Sequence, residues 1–537
     1  MHIKLLNILT ILWFATTQIG QAQNIFKPEI SIVNTNKTSL PGVQSFAIGV
    51  KNDEWLVIGG RKDGLHRRQP FAAFQKEGNN TEIYVINPET SQVWTSDLNS
   101  LPTELQEQLQ STNIEFCQEG DFLSLMGGYG YSATKDEHIT YNGLVIIDIP
   151  MAIQAIKTKS SLVNAVKYGF DDRVSVTGGQ LGKLNDIYYL VGGQKFEGSY
   201  NPMGPDHGPG FFQQYTNSIR TFKISETGGK LQLVDFKEQI DSLELHRRDF
   251  NMLKQIFPNG TEGFTAFSGV FQYKADIPWL NTVDIVNYKY EPIPAFEQRL
   301  NQYHGAKLAL YEPTNAKMYN FFFGGISRFY ADAKGDIIDD LDVPFVKTIS
   351  VISRDKNGKL EEEIVGKMPD FLGASAEFVP SANFQKYMNS DMLKFDADIK
   401  DSLFLGYIFG GIKSSADKIF WTNEGTQSEA SNQIYKVYLR SNVTSSVKAS
   451  FTSYDYFKPV VYPNPAFDYY IIEFYVPEAS VINVNLNGLN GKQYYSESGK
   501  FSQGYQKMRV PIDSLPDGNY FISLDNGKYS HTMKLIK

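Results

Sequence analysis

The stretch "NFFFGGIS" (Asn320–Ser327) decides the fold, because an apolar run there meets two glycines and stops. The figure recurs as "EWLVIGG" (Glu54–Gly60), "FLSLMGG" (Phe122–Gly128), "IYYLVGG" (Ile187–Gly193) and "LGYIFGG" (Leu405–Gly411), with a weaker copy in "FTAFSGV" (Phe264–Val270). Each run has the length and the aromatic and β-branched content of a buried strand. A glycine pair at its end permits positive φ and close backbone approach.

Working outward, a strand candidate precedes each run, among them "QSFAIGV" (Gln44–Val50), "NIEFCQ" (Asn113–Gln118), "RVSVTGG" (Arg173–Gly179) and "HGAKLALY" (His304–Tyr311). An alternating segment follows each, such as "NTVDIVNYKY" (Asn281–Tyr290). The unit is therefore strand, strand ending in Gly-Gly, loop, strand, and usually one strand more. The signals start at 59, 127, 192, 268, 324 and 410, at intervals of 68, 65, 76, 56 and 86 residues. Six copies of a four-stranded antiparallel unit, none able to bury both faces alone, predict radial closure into an all-β propeller over 29–445. Five or seven blades are the alternatives, since the wide interval before Gly410 has room for an extra strand pair.

This pattern resembles the kelch family, whose repeat runs from hydrophobics through Gly-Gly to a Tyr and a Trp. "NPETSQVW" (Asn87–Trp94) matches the turn before that tryptophan, with Asn87 in place of the usual Asp. The other copies lack the tryptophan, and Ser268 replaces a glycine in the fourth. The resemblance implies architecture and leaves activity open.

The last segment changes character. Over 457–537 the chain alternates short apolar strands with Gly, Asn and Pro turns, the pattern of a small β-sandwich. It is similar to the type A C-terminal sorting domain of the Bacteroidota type IX secretion system. The matching residues are Tyr462, Pro463, Asn464 and Pro465, then Gly491 and Lys492, then Gly518 and Tyr520, and finally Lys534 to Lys537. The resemblance implies outer-membrane translocation by the type IX machinery, removal of the tail, and a cell-surface or extracellular destination. The alternative is a carbohydrate-binding or fibronectin-like sandwich. A linker at 446–456 precedes it, and the polar, Ser-rich stretch Ser441–Ser453 is a plausible place for cleavage.

The N-terminus reads as a signal peptide over 1–22, with Lys4 as its charge, Leu5–Ala15 as its apolar run and Gly20–Ala22 before the cleavage site. That run is too short to span a bilayer. The single cysteine, Cys117, excludes an internal disulfide. A net charge of −8 gives no nucleic-acid footprint.

Antiparallel order places the loops after Gly-Gly on one face with the starts of the innermost strands. Several of these loops are long: Arg61–Asn80, Gln194–Thr216, Ile326–Val346 and Ile412–Ser431. Long loops in a compact domain usually carry function. Trp279, Tyr330 and Trp421 lie on them, and Arg173, Arg248, Asp249, His304 and Glu377 lie near inner-strand starts, with Glu115 in a similar position. Together they form a candidate ligand-binding ring for a glycan or protein partner. "LHRR" occurs at Leu65–Arg68 and Leu245–Arg248, where forked guanidinium groups suit carboxylate or phosphate. Asp206 and His207 sit in an aromatic loop. Asp332, Asp336, Asp339, Asp340 and Asp342 form a calcium candidate without EF-hand spacing, the alternative being a solvated acidic loop. No zinc motif, no G-x-S-x-G and no copper ligand set beside Cys117 is present, so no cofactor is expected. Three functions fit: a surface binding module, a sugar-active propeller enzyme (epimerase, lyase or glycosidase), or a structural part of a secretion or gliding apparatus.

Overall fold

A computed structural model describes residues 26–441 and 457–537, apart from 38, 205–207, 209, 274–276, 333–334, 389, 458, 477–478, 490, 503 and 528–529. The signal-peptide and linker readings, with Asp206 and His207, lie outside the described residues. The chain is all-β in character and divides into two compact units, Phe26–Asn442 and a C-terminal one. Among the described residues no helix is long and apolar enough to cross a membrane.

In the first unit each Gly-Gly lies at the end of the second strand of an antiparallel set, except that Lys317–Ile326 runs through Gly324 and Gly325 as a bulge and pairs on to Ile326 instead of stopping. The first set is Ala47–Lys51, Glu54–Ile58, Ile83–Ile86 and Val93–Ser96, joined in that order. Four more follow in chain order, with innermost strands Glu115–Glu119, Gln180–Leu184, Asn251–Ile256 and Lys307–Glu312. The last set takes Ala376–Pro380, Leu403–Gly410 and Ile434–Ser441 from the end of the unit and its outer strand, Pro28–Asn34, from the beginning. The long interval before Gly410 holds a short hairpin, Gln385–Lys386 with Leu393–Lys394, that adds to the edge of the fifth set.

The glycine pairs are the joints between sheets. At Gly324 φ is +61° and at Gly325 +99°, a backbone that L side chains rarely adopt. A Cβ on Gly324 would lie closer than 3.0 Å to the Leu372 carbonyl oxygen, just before the next innermost strand. The Gly325 N–H donates to that same carbonyl at 2.7 Å. The joint repeats from Gly60 to Ser111 (2.8 Å), Gly128 to Val176 (2.9 Å), Gly193 to Arg247 (2.7 Å) and Gly411 to Val43 (2.9 Å). The fourth copy keeps the geometry without the first glycine: Ser268 has φ +55°, and its hydroxyl donates to the Asn301 carbonyl at 3.1 Å. Because Gly411 reaches back to Val43, the series closes on itself.

Apolar residues fill the spaces between neighbouring sheets. Leu56 and Val85 of the first pack with Leu123, Leu125 and Val145 of the second. The helix Ile149–Thr158, capped by Asp148 accepting from the Met151 N–H at 2.9 Å, adds Ile149, Ala152, Ile153 and Ile156 to that core.

The segment "RVSVTGG" departs from expectation. Asp171 accepts from the Arg173 N–H at 3.0 Å and turns Asp172–Val174 into a short 3-10 helix, so the innermost strand begins only at Gln180. Ser and Asp side chains that bond the backbone locally compete with ladder pairing in this way.

The C-terminal unit holds two antiparallel sheets around one core. Strands Val460–Tyr462, Tyr469–Val476 and Gly504–Pro511 form one; Gln493–Phe501, Ser480–Gly488, Asn519–Asp525 and Ser530–Ile536 form the other. Period-two burial along Ser480–Gly488 sends Ile482, Val484 and Leu486 inward against Ile472, Phe474 and Val510. Asn464 pins the final strand: its side-chain oxygen accepts from the Ile536 N–H at 2.9 Å and its amide donates to the Lys534 carbonyl at 3.2 Å. Lys537 and Gly518 exchange two backbone bonds.

Candidate functional site

The innermost strands begin at a neck of backbone hydrogen bonds. Ser45 donates to Ser375, Ser375 to His304, His304 to Asp249, Asp249 to Gly178, and Asn113 to Ser45, all at 2.8–3.0 Å. The remaining gap is spanned by the Thr177 hydroxyl, which donates to the Asn113 carbonyl at 3.4 Å. Cavities open on both sides of this neck and share Asn113, Gly178 and His304.

The cavity on the loop side has a volume of about 240 Å³ and takes residues from all the Gly-Gly units. Its walls are aromatic. His66 lies against Phe74 (5.8 Å), Tyr200 (5.0 Å) and Phe420 (5.6 Å), and Phe74 meets Tyr129 at 5.8 Å. Burial among these rings pushes the His66 imidazole down to about 4, so it is neutral at physiological pH. Arg248 crosses the cavity wall. Burial works against its charge, but the Tyr215 phenol, which accepts from Nε at 2.9 Å, and the adjoining Asp249 carboxylate hold it charged. The Tyr200 and Tyr303 hydroxyls make no hydrogen bond among the described residues, and burial raises both phenol pKa values.

The cavity beyond the neck has a volume of about 220 Å³ and carries the buried charges. Burial pushes the Glu115 carboxyl up to about 8, although the Gly179 N–H donates to it at 2.7 Å. Burial also raises Glu377 to about 7, with Lys307 pulling the other way. Lys307 is itself lowered by burial and partly restored by Glu377 and Glu115. His304 is held well below its ordinary value by burial and then by Lys307; its Nε2 lies 3.7 Å from Glu377 Oε1. A neutral imidazole makes that a contact and not an ion pair.

The raised Glu115 pKa has a signed consequence. The unfolded carboxyl titrates near 4.5 and the folded one near 8, so its contribution to stability is complete below 4.5 and lost as pH rises through 8. Glu115→Gln keeps the acceptor for Gly179 and does not titrate. Its melting temperature relative to wild type is expected to rise by several degrees between pH 5 and pH 8. An offset equal at both pH values would refute the assignment.

Of the residues expected at the site, Arg248, Asp249 and His304 line the loop-side cavity, and Glu115, His304 and Glu377 the inner one. The others stand apart from both. Arg173 pairs with Asp171 on the surface and covers the Phe236 ring at 4.7 Å. Trp279 donates to the His246 carbonyl at 2.9 Å beneath the buried Arg247. The Tyr330 hydroxyl bonds Asp340, and Trp421 is half-exposed under Arg68 (4.4 Å). In the acidic loop, Asp339 pairs with Arg328, and Asp340 and Asp342 pair with Lys418. Among the described residues no three metal-ligating side chains converge. Sequence reasoning missed Lys307, Gln180, Tyr200 and Tyr303. Alternation along "HGAKLALY" would have pointed to Lys307 as a charged residue on an otherwise buried strand.

Comparison with known proteins bears on the tail. The secretion system C-terminal sorting domain family matches residues 460–537. No curated protein matches the chain. The solved structure of YjhT aligns with 73% of this chain and 98% of its own at 11% identity, with a TM-score of 0.38. Residues 460–537 are thus a type IX secretion sorting domain, which directs the chain to the cell surface or beyond.

Proposed function

We propose that Phe26–Asn442 is a six-bladed, kelch-like propeller, exported by the Sec and type IX routes, that binds a glycan or protein partner on the face bearing the loops after Gly-Gly. The observation that carries this reading is the loop-side cavity, where every repeat contributes to aromatic walls around one charged Arg248–Asp249 pair. Concave, mostly apolar sites with few polar groups are where ligands bind. The closed series of glycine joints supports the propeller.

With a ligand in hand from glycan-array or partner screening of the exported protein, Arg248→Ala is expected to weaken binding about tenfold or more. Asp53→Ala, in the tight turn at the far end of the inner hairpin, should leave it unchanged. The reverse pattern would overturn the face assignment. A sugar-active enzyme is the second reading, favoured by two buried carboxyls, Glu115 and Glu377, poised near neutrality in the inner cavity.

The sorting tail has its own core. Deleting Tyr462–Lys537 should leave a folded protein in the periplasm. Normal surface levels of the truncated chain, measured by fractionation, would defeat the sorting role.

A further inference from the structure

Beyond the neck, four polar side chains lining the inner cavity make no hydrogen bond to protein among the described residues: Asn113, Gln180, Lys307 and Glu377. Glu377 is only 8% exposed and Lys307 is half-buried. Two amides, an ammonium and a carboxyl thus line one cavity with donors and acceptors that the protein does not use and that are available to a guest. Glu115 and His304 complete the polar wall.

The charge pattern selects the guest. Lys307 has no ion pair among the described residues, yet Glu377 and Glu115 both act on it electrostatically. With Glu115 and Glu377 raised towards neutrality and Lys307 lowered by burial, the wall offers little net charge to hold an ion of either sign. A hydroxyl both accepts and donates, so it can take a proton contact from Lys307 while giving one to Glu377. The volume, about 220 Å³, is below the ~300 Å³ at which drug-sized pockets begin.

We infer that the inner cavity is a recognition pocket for one neutral, polyhydroxylated sugar unit, read through Asn113, Gln180, Lys307 and Glu377. The pocket deepens the glycan-binding reading above and rests on it.

Titration calorimetry on the full chain would use glucose, galactose and mannose, with glucuronate as the anionic and glucosamine as the cationic counterpart. At least one neutral sugar should bind. Lys307→Met and Gln180→Ala should each weaken it tenfold or more, with melting curves confirming that both variants fold; Gln180→Ala removes no charge and keeps the test valid should Lys307→Met unfold. Preference for a charged sugar would overturn the neutral guest. Sugar binding unaffected by both variants but lost in Arg248→Ala would overturn the inner pocket and leave the loop-face reading standing. No binding of any sugar to wild type would overturn both the pocket and its glycan premise.

Discussion

Gly324→Val should destabilise the first unit by about 3–5 kcal/mol, read from chemical or thermal unfolding. Two effects add. A β-branched residue at φ +61° is strained by about 1–3 kcal/mol. The new Cβ would also overlap the Leu372 carbonyl oxygen and crowd Met368, and backbone cannot move aside as a flexible side chain can. That carbonyl already accepts from Gly325, so displacing it would break the joint between the fifth and sixth sheets. Gly228 provides the control. It has the same φ of +61° at a hairpin tip, with nothing within 4 Å of a Cβ. Gly228→Val should therefore show the strain alone. Equal destabilisation by the two variants would mean that the Gly-Gly pair is a local turn and not an inter-sheet joint.

The contrast explains what was legible in the sequence. A joint that needs positive φ and no side chain writes itself as glycine, so five of the six joints stand out as "GG". The sixth is a weaker copy in the sequence, and Ser268 shows why it works: its hydroxyl donates to the Asn301 carbonyl in the place of a glycine-pair N–H. The N-terminal strand Pro28–Asn34 left no mark of its destination, because its partner lies some four hundred residues away, with Thr35 bonded to Ile434. "RVSVTGG" was misleading for a local reason. Its residues favour a strand, but Asp171 folds the segment back on Arg173 before pairing can begin. Side-chain destinations were the least legible. Trp279, Tyr330 and Trp421 do lie on loops after the Gly-Gly signals, yet each is engaged by a nearby carbonyl or carboxylate and none lines either of the two cavities at the neck. Arg248 and His304 reach the site because they flank the neck, where closure of the whole ring fixes the backbone.

Arg354→Ala should cost about 3–5 kcal/mol, because it leaves a buried carboxylate without its partner. Arg354, on the fifth sheet, grips Asp284 of the fourth through two bonds, Nη1 to Oδ2 at 2.8 Å and Nη2 to Oδ1 at 2.6 Å. Thr265 joins them: its hydroxyl donates to Asp284 at 2.6 Å and accepts from Arg354 at 3.3 Å. The side chains are 5% and 11% exposed, so water does not screen the pair. Burial raises the Asp284 pKa even with Arg354 opposing it. Without the arginine it should rise further, which sets the sign of the pH dependence. A raised folded pKa means stability is present below the unfolded value, near 4, and lost as pH rises. Arg354→Ala should therefore be most destabilised at pH 8 and recover towards pH 4, against a wild type with a smaller slope. Removing both charges, as in Asp284→Leu with Arg354→Met, should restore much of the loss, since a buried pair often gives up little to apolar residues of similar volume. A double variant as unstable as the single would show that the pair holds the fourth and fifth sheets together by a net attraction exceeding its desolvation cost, and the account of Asp284 as a stranded charge would fail.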